Sequence, residues 1–151
     1  MIKDLPKIKN DLIKLLRAQP LAVLSTQQEG QPYASLVAFV SSDDLTRLYF
    51  ATIRSTRKFA NIMKDSRVAM LIDNRSNNPA DFQQATTVTA TGKTFEVPLE
   101  KRGRVLEFYL ARHPCLKSFV QSPTCALCEV RIRTYFVCTN FQNVVEVHIT
   151  Q

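Results

Sequence analysis

The sequence predicts a mainly β (α+β) protein, with about six strands in antiparallel order closing into a small barrel and helices packed around it. Short apolar segments recur through most of the chain, separated by turns rich in Gly, Pro, Asn and Asp. Some, such as Tyr33 to Val40, are apolar on both faces, which suits a sheet rolled upon itself. Closure also removes the exposed strand edges that an open sheet would leave.

The elements follow in order. Leu5, Ile8, Leu12, Leu15 and Leu16 recur at helical spacing, with Lys3, Lys7, Lys9, Lys14 and Arg17 on other faces. Asp4 before Pro6 starts this helix and Pro20 stops it, giving Leu5 to Ala18. Leu21 to Thr26 reads as a strand, Gln28 to Pro32 as a turn, and Tyr33 to Val40 as the second strand. Ser41 to Asp44 turns again, and Leu45 to Thr52 returns, which makes a three-stranded meander. A short helix over Arg57 to Lys64 would turn Phe59, Ile62 and Met63 to the core. Arg67 to Asp73 is the next strand, followed by the polar loop Asn74 to Pro79. Thr86 to Val97 is rich in threonine and valine, with Gly92 marking a bulge. Pro98 opens a helix through Arg112 that buries Val105, Leu106, Tyr109 and Leu110, and Pro114 ends it. A helical turn near Leu116 to Val120 precedes a last hairpin, Leu127 to Cys138 with Val144 to Ile149.

The chain has 151 residues, 45% of them hydrophobic and 22% charged, and carries a formal net charge of +7. It is expected to form one domain over residues 1–151. The positive charge favours anionic partners, but it is dispersed and forms no basic arm, so no nucleic-acid partner is expected. No apolar run is long enough to span a bilayer and the N-terminus lacks a secretory core, so a cytoplasmic protein with no membrane partner is expected. Cys115, Cys125, Cys128 and Cys138 admit a four-cysteine metal site. The second Cys-x-x-Cys that makes such a site convincing is missing, so buried inert thiols are the expectation, with no metal.

The most informative segment is Phe50 to Phe59, a strand end, a polar turn and a helix start carrying Arg57 and Lys58. Cations at a helix N-terminus oppose its dipole unless an anion is bound between them and the free N–H groups. Thr52, Ser55 and Thr56 add hydroxyl donors, and Thr56 can cap the helix. The segment therefore reads as a phosphate site. The competing reading leaves Arg54, Arg57 and Lys58 as solvated surface residues with Asp65 among their neighbours.

Thr52 to Lys58, followed by Asn61-Ile62, Asp65 and Arg67-Val68, resembles the flavin-phosphate motif of the pyridoxamine 5′-phosphate oxidase-like family, which has an FMN-binding split β-barrel fold. The order of elements from Leu5 to Val97 is similar too. The resemblance implies a homodimer with FMN in a cleft between the subunits. Arg57 and Lys58 would hold the phosphate, with Ala51, Thr52 and Thr56 beside them, and the backbone of Ser35, Leu36 and Val37 would follow the isoalloxazine edge. A glutamine that the family often supplies from the other subunit falls at Thr87, with Gln83 or Gln84 as substitutes, and the loop at Asn74 and Arg75 could reach the site. The chain lacks the C-terminal tryptophan and arginine–histidine clamp of members that oxidise pyridoxamine phosphate. The implied function is a flavin-dependent oxidoreductase of unknown substrate, exchanging electrons with a small-molecule donor or acceptor. The alternative is a non-catalytic flavin, deazaflavin or haem carrier, in which His113 is a candidate haem ligand.

Overall fold

The structure, a computed structural model, describes residues 4–151. Lys3, placed on the basic side of the first helix, lies outside them. Helix α1 (Leu5–Ala18) leads into β1 (Leu21–Gln28), β2 (Gln31–Ser41) and β3 (Arg47–Ile53). Then come α2 (Arg57–Lys64), β4 (Arg67–Asp73), α3 (Asp81–Gln84) and β5 (Thr87–Glu96). The chain ends with α4 (Leu99–Arg112), α5 (Lys117–Gln121), β6 (Cys125–Thr139) and β7 (Asn143–His148).

Every pairing is antiparallel. The order β3-β2-β1-β4-β5-β6 closes because β6 returns to pair with β3, and β7 adds to β6 outside the ring. The expected six-stranded barrel is therefore the observed one. Its interior holds Leu24, Phe39, Phe50, Met70, Ile72, Val88 and Tyr135, and Leu12, Leu15 and Leu16 of α1 pack against this core. A second cluster lies under α4 and α5, where Tyr109 and Val120 meet Val40, Ala51 and Leu127.

The turns are tighter than the sequence suggested. Glu29 and Gly30 take φ of 52° and 80°, so β1 and β2 join by a two-residue connection that extends both strands. Strand β3 starts at Arg47 rather than Leu45. Leu45 is left-handed (φ 65°), and the Asp44 carboxylate gathers Ser42 Oγ (2.7 Å), Thr46 Oγ1 (2.7 Å) and Thr46 N–H (3.0 Å). The β5–β6 register shifts between Thr91 and Gly92, the expected bulge. A Cβ on Gly92 would stand 2.1 Å from the Arg131 carbonyl oxygen, so only glycine fits.

Two expectations about burial fail. Met63 is 69% exposed, because α2 turns Asn61 and Ile62 inward instead. Asn61 Nδ2 donates to Thr26 Oγ1 (3.0 Å), and that bond rotates the inner face away from Met63. Cys115 is exposed rather than buried, since it sits in the turn after α4. Cys125 and Cys128 are buried, and burial pushes the Cys128 thiol up to about 12, so it stays protonated and unreactive.

Candidate functional site: the seam between β2 and β3

Strands β2 and β3 pair only from Phe39–Phe50 to Ser41–Leu48. Beyond Phe39 they splay, and β3 continues against β6 through Ile53–Cys125. Residues Gln31 to Ala38 of β2 are thus paired with β1 on one side only. Phe39 N–H donates to the Pro20 carbonyl on the β1 side (3.2 Å). Because backbone groups alternate sides along a strand, Ala38 and Leu36 then face the seam. The Ala38 carbonyl accepts from Tyr109 Oη (3.1 Å), while Leu36 main-chain groups lie open to the seam. The Ser35 hydroxyl is buried without a partner.

The seam opens into a cavity of about 250 Å³, lined by Leu36, Val37, Ala51, Thr52, Thr56 and Lys58 with Tyr109 and Phe119 behind them. Six residues proposed from the sequence thus meet in one cleft. Thr52 sits at its base, 1% exposed, and its hydroxyl lies 3.1 Å from that of Thr56. Thr56 caps α2. Its backbone is extended (φ −83°, ψ 155°) and its Oγ1 accepts from Phe59 N–H (3.3 Å). The N–H groups of Arg57 and Lys58 therefore have no acceptor within the helix and point outward.

The basic residues divide by partner. Arg54 is held by a two-pronged pair with Glu96 across the barrel and lies 5.6 Å from the Phe59 ring. Asp65 is taken by Arg67 and Gln27, and the Arg67 guanidinium holds its carboxyl well below the usual range. Arg57 and Lys58 have no ion-pair partner among the described residues. Arg57 lies 6.0 Å from the Tyr33 ring, whose aromatic face is open to solvent. Arg54 is thus committed to an ion pair, whereas Arg57 is exposed and Lys58 half-buried at the edge of the cavity, with Arg57 outside its lining. Arg54 was invisible as a paired residue because Glu96 is forty-two positions away.

Thr87 lies elsewhere. It pairs with Cys138, thirteen residues along β6 from Cys125, which borders the cleft at Ile53. At about 3.4 Å per residue that is roughly 40 Å of strand. Gln83, Gln84, Asn74 and Arg75 lie near the same far end. None of these residues lines the cleft of its own chain. His113 is not open to a ligand, since its Nε2 is 2.7 Å from the Phe39 carbonyl oxygen and the residue is buried.

A closed six-stranded barrel with one open seam, and a basic capped helix start beside that seam, defines a split barrel with a basic cleft. The family model for pyridoxamine 5′-phosphate oxidase matches residues 8–135, and this chain belongs to that family. Among curated proteins, none matches the sequence. Solved structures of similar fold include General Stress Protein 26 from Bacillus anthracis (18% identity, TM-score 0.73, covering 94% of this chain and 98% of that one). A FAD-binding protein from Mesorhizobium loti is also similar (17% identity, TM-score 0.68, 83% and 90% covered). So is a haem-binding protein from Mycobacterium smegmatis (14% identity, TM-score 0.78, 90% covered), of which this chain spans only 56%. At such identities these likenesses speak for the fold alone.

Proposed function

We propose that the seam holds FMN and that the protein is a flavin-dependent oxidoreductase working as a homodimer. The observation that carries this reading is Lys58 lining the same cleft as Leu36, with Arg57 beside it at the capped start of α2 and neither holding a carboxylate partner among the described residues. The donor set suits a phosphate monoester. Arg57 offers a two-pronged guanidinium, Lys58 a point charge, Thr52 and Thr56 hydroxyls, and the first turn of α2 its N–H groups. Leu36 can exchange hydrogen bonds with a ring edge, which suits the heteroatoms of an isoalloxazine. Bound flavin would supply the hydride and electron transfer itself. The protein's part is to fix the phosphate, orient the ring and keep water from one face with Tyr109 and Phe119.

Two features support the dimer. The cavity of about 250 Å³ in one chain falls below the roughly 300–1,000 Å³ usual for ligand pockets, so a second wall is required. Leu36, Val23 and Leu71 also lie in one row across the outer face of β2, β1 and β4, with Leu36 at 63% exposure. An apolar row of this kind suits burial against a second copy. Such packing would let Thr87 of one subunit serve the cleft of the other.

No helix among the described residues is long and apolar enough to cross a membrane, and we place the protein in the cytoplasm, as a single domain. A carrier role is the second reading, favoured by the haem-binding relative of the same fold. The deciding experiment is the absorption spectrum of the purified protein, with mass analysis of any released small molecule and titration with FMN. A flavin spectrum that NAD(P)H or another donor bleaches supports the enzyme. A tightly held cofactor that no donor reduces supports the carrier. A colourless protein that refuses FMN overturns both.

A further inference from the structure

A groove of about 790 Å³, roomier than the seam, lies on the outer face of β1, β4, β5 and β6. Four cations line it, Arg67, Lys93, Arg131 and Arg133, and no Asp or Glu does. Their placement is unusual. Arg67 stands directly opposite Lys93, and Lys93 directly opposite Arg131, on three neighbouring strands. Like charges facing one another across a ladder destabilise a sheet. The outer two are partly compensated, Arg67 by Asp65 and Arg131 by Glu129. Lys93 in the middle, and Arg133 beyond it, have no ion-pair partner among the described residues. Between the cations the lining is apolar, with Ala69 and half-buried Ile149. Phe95 forms one wall, 41% exposed, with the Arg131 guanidinium 4.7 Å above its ring. The bulge at Gly92 shapes the groove by letting β5 approach the Arg131 carbonyl closely.

A cationic row over an apolar floor is complementary to one class of ligand, an apolar body carrying an acidic group. We infer that this groove is a second binding site, distinct from the seam, for an apolar acid, with Lys93 and Arg133 as the anchors for its carboxylate or sulfonate. Phe95 and Ile149 pack against the apolar body. A local rule is broken at Lys93, and the bound anion restores it. The cationic row lies two alternating positions along β4 and β5 from the level of Leu71, and the near rim of the groove, Ser25 and Ala69, borders the Leu36–Val23–Leu71 row; none of its cations belongs to the flavin cleft, so the inference does not rest on the flavin reading.

The test uses the full-length protein and anilinonaphthalenesulfonate, whose fluorescence rises on apolar burial. Phenylnaphthylamine serves as the matched ring system without the acid. The expected result is saturable binding at one site per chain, with the neutral probe at least about tenfold weaker. Lys93→Glu should weaken the sulfonate probe by about tenfold or more, and Arg133→Gln should do the same to a smaller extent. Because Lys93→Glu places a carboxylate between two arginines, its melting temperature should rise, by about 2 °C, as binding is lost. A merely structural lysine would not couple those two changes. Arg57→Ala/Lys58→Ala should leave the probe bound, which separates this site from the flavin cleft. Displacement by naphthoate would mark a ring acid as the ligand, and displacement by oleate an acyl chain. Equal binding of the neutral probe, unchanged affinity in Lys93→Glu, or loss of the probe in the Arg57/Lys58 variant would each overturn the proposal. So would the absence of saturable binding to the native protein, because the groove would then be covered by another part of the assembly.

Discussion

Replacing Arg57 and Lys58 together by alanine separates ligand binding from folding, because the two effects have opposite signs. In the proposed site each side chain would make a charge-assisted contact with the bound phosphate, contributing about 1.5–3 kcal/mol. Losing both costs roughly 3–6 kcal/mol of binding, or about 10²- to 10⁴-fold in the Kd for FMN. In the empty protein the same cations face the positive end of α2, and neither has a carboxylate partner among the described residues. Removing each relieves about 0.3–1 kcal/mol, offset in part by loss of the exposed Arg57–Tyr33 contact at 6.0 Å. The empty variant should therefore melt within about 2 °C of the native protein, or slightly above it. Flavin fluorescence quenching measures the first quantity and a thermal scan of flavin-free protein the second. Unchanged FMN affinity would refute the site. Weakened affinity with a melting temperature lowered by about 5 °C or more would refute the reasoning, since these residues would then be holding the fold.

Other perturbations test the frame that positions the site. Gly92→Ala should destabilise by about 3 kcal/mol or more and lower yield, because the new Cβ meets backbone oxygen at 2.1 Å and not a side chain that can move. Urea denaturation checks it. Tyr135→Phe removes a hydroxyl that donates to the Leu45 carbonyl at 2.7 Å in the barrel interior, leaving that oxygen orphaned at a cost of about 1–3 kcal/mol by the same measurement. Asp44 has a carboxyl lowered to about 2 by its hydrogen bonds from Ser42 and Thr46. A depressed carboxylate stabilises above its unfolded pKa, so its contribution is constant at neutral pH and is lost as pH falls from about 4 to about 2, and Asp44→Asn should flatten that part of the melting curve against pH. Leu71→Arg places a charge in the apolar outer row, and sedimentation should show the proposed dimer dissociating, with any bound flavin released at the same time. A variant that stays dimeric would remove that face from the interface.

The strands, the bulge and every helix except the four-residue α3 were legible because each is written locally. Alternating apolar residues fix β4 and β5, Gly92 fixes the bulge, and Thr56 before two cations fixes the start of α2. The cleft was legible to the extent that its residues fall in one segment, Ala51 to Lys58, plus a single neighbouring strand. What the sequence does not reveal are partnerships across the barrel. Arg54 and Glu96, Asn61 and Thr26, and Tyr109 and Ala38 are each more than thirty positions apart. The cationic groove had no sequence signal for the same reason. Arg67, Lys93 and Arg131 come from three strands and look like ordinary solvated charges until register sets them side by side.

The seam itself follows from a competition between two partners for β3. Strand β6 is fifteen residues long and pairs with β3 along its whole length, whereas β2 holds β3 through three pairs only. Once the barrel closes through β6, the Gln31–Ala38 edge of β2 is left without a strand. An uncovered edge invites pairing with other chains, so it has to be capped or used. Tyr109 caps the carbonyl of Ala38, and the capping stops there. Leu36 lies one step further along the same edge, and the basic start of α2 stands beside it. The position where the fold stops supplying hydrogen-bond partners is thus the position where the cations converge, and a ligand with an acceptor-rich ring and a phosphate would satisfy both.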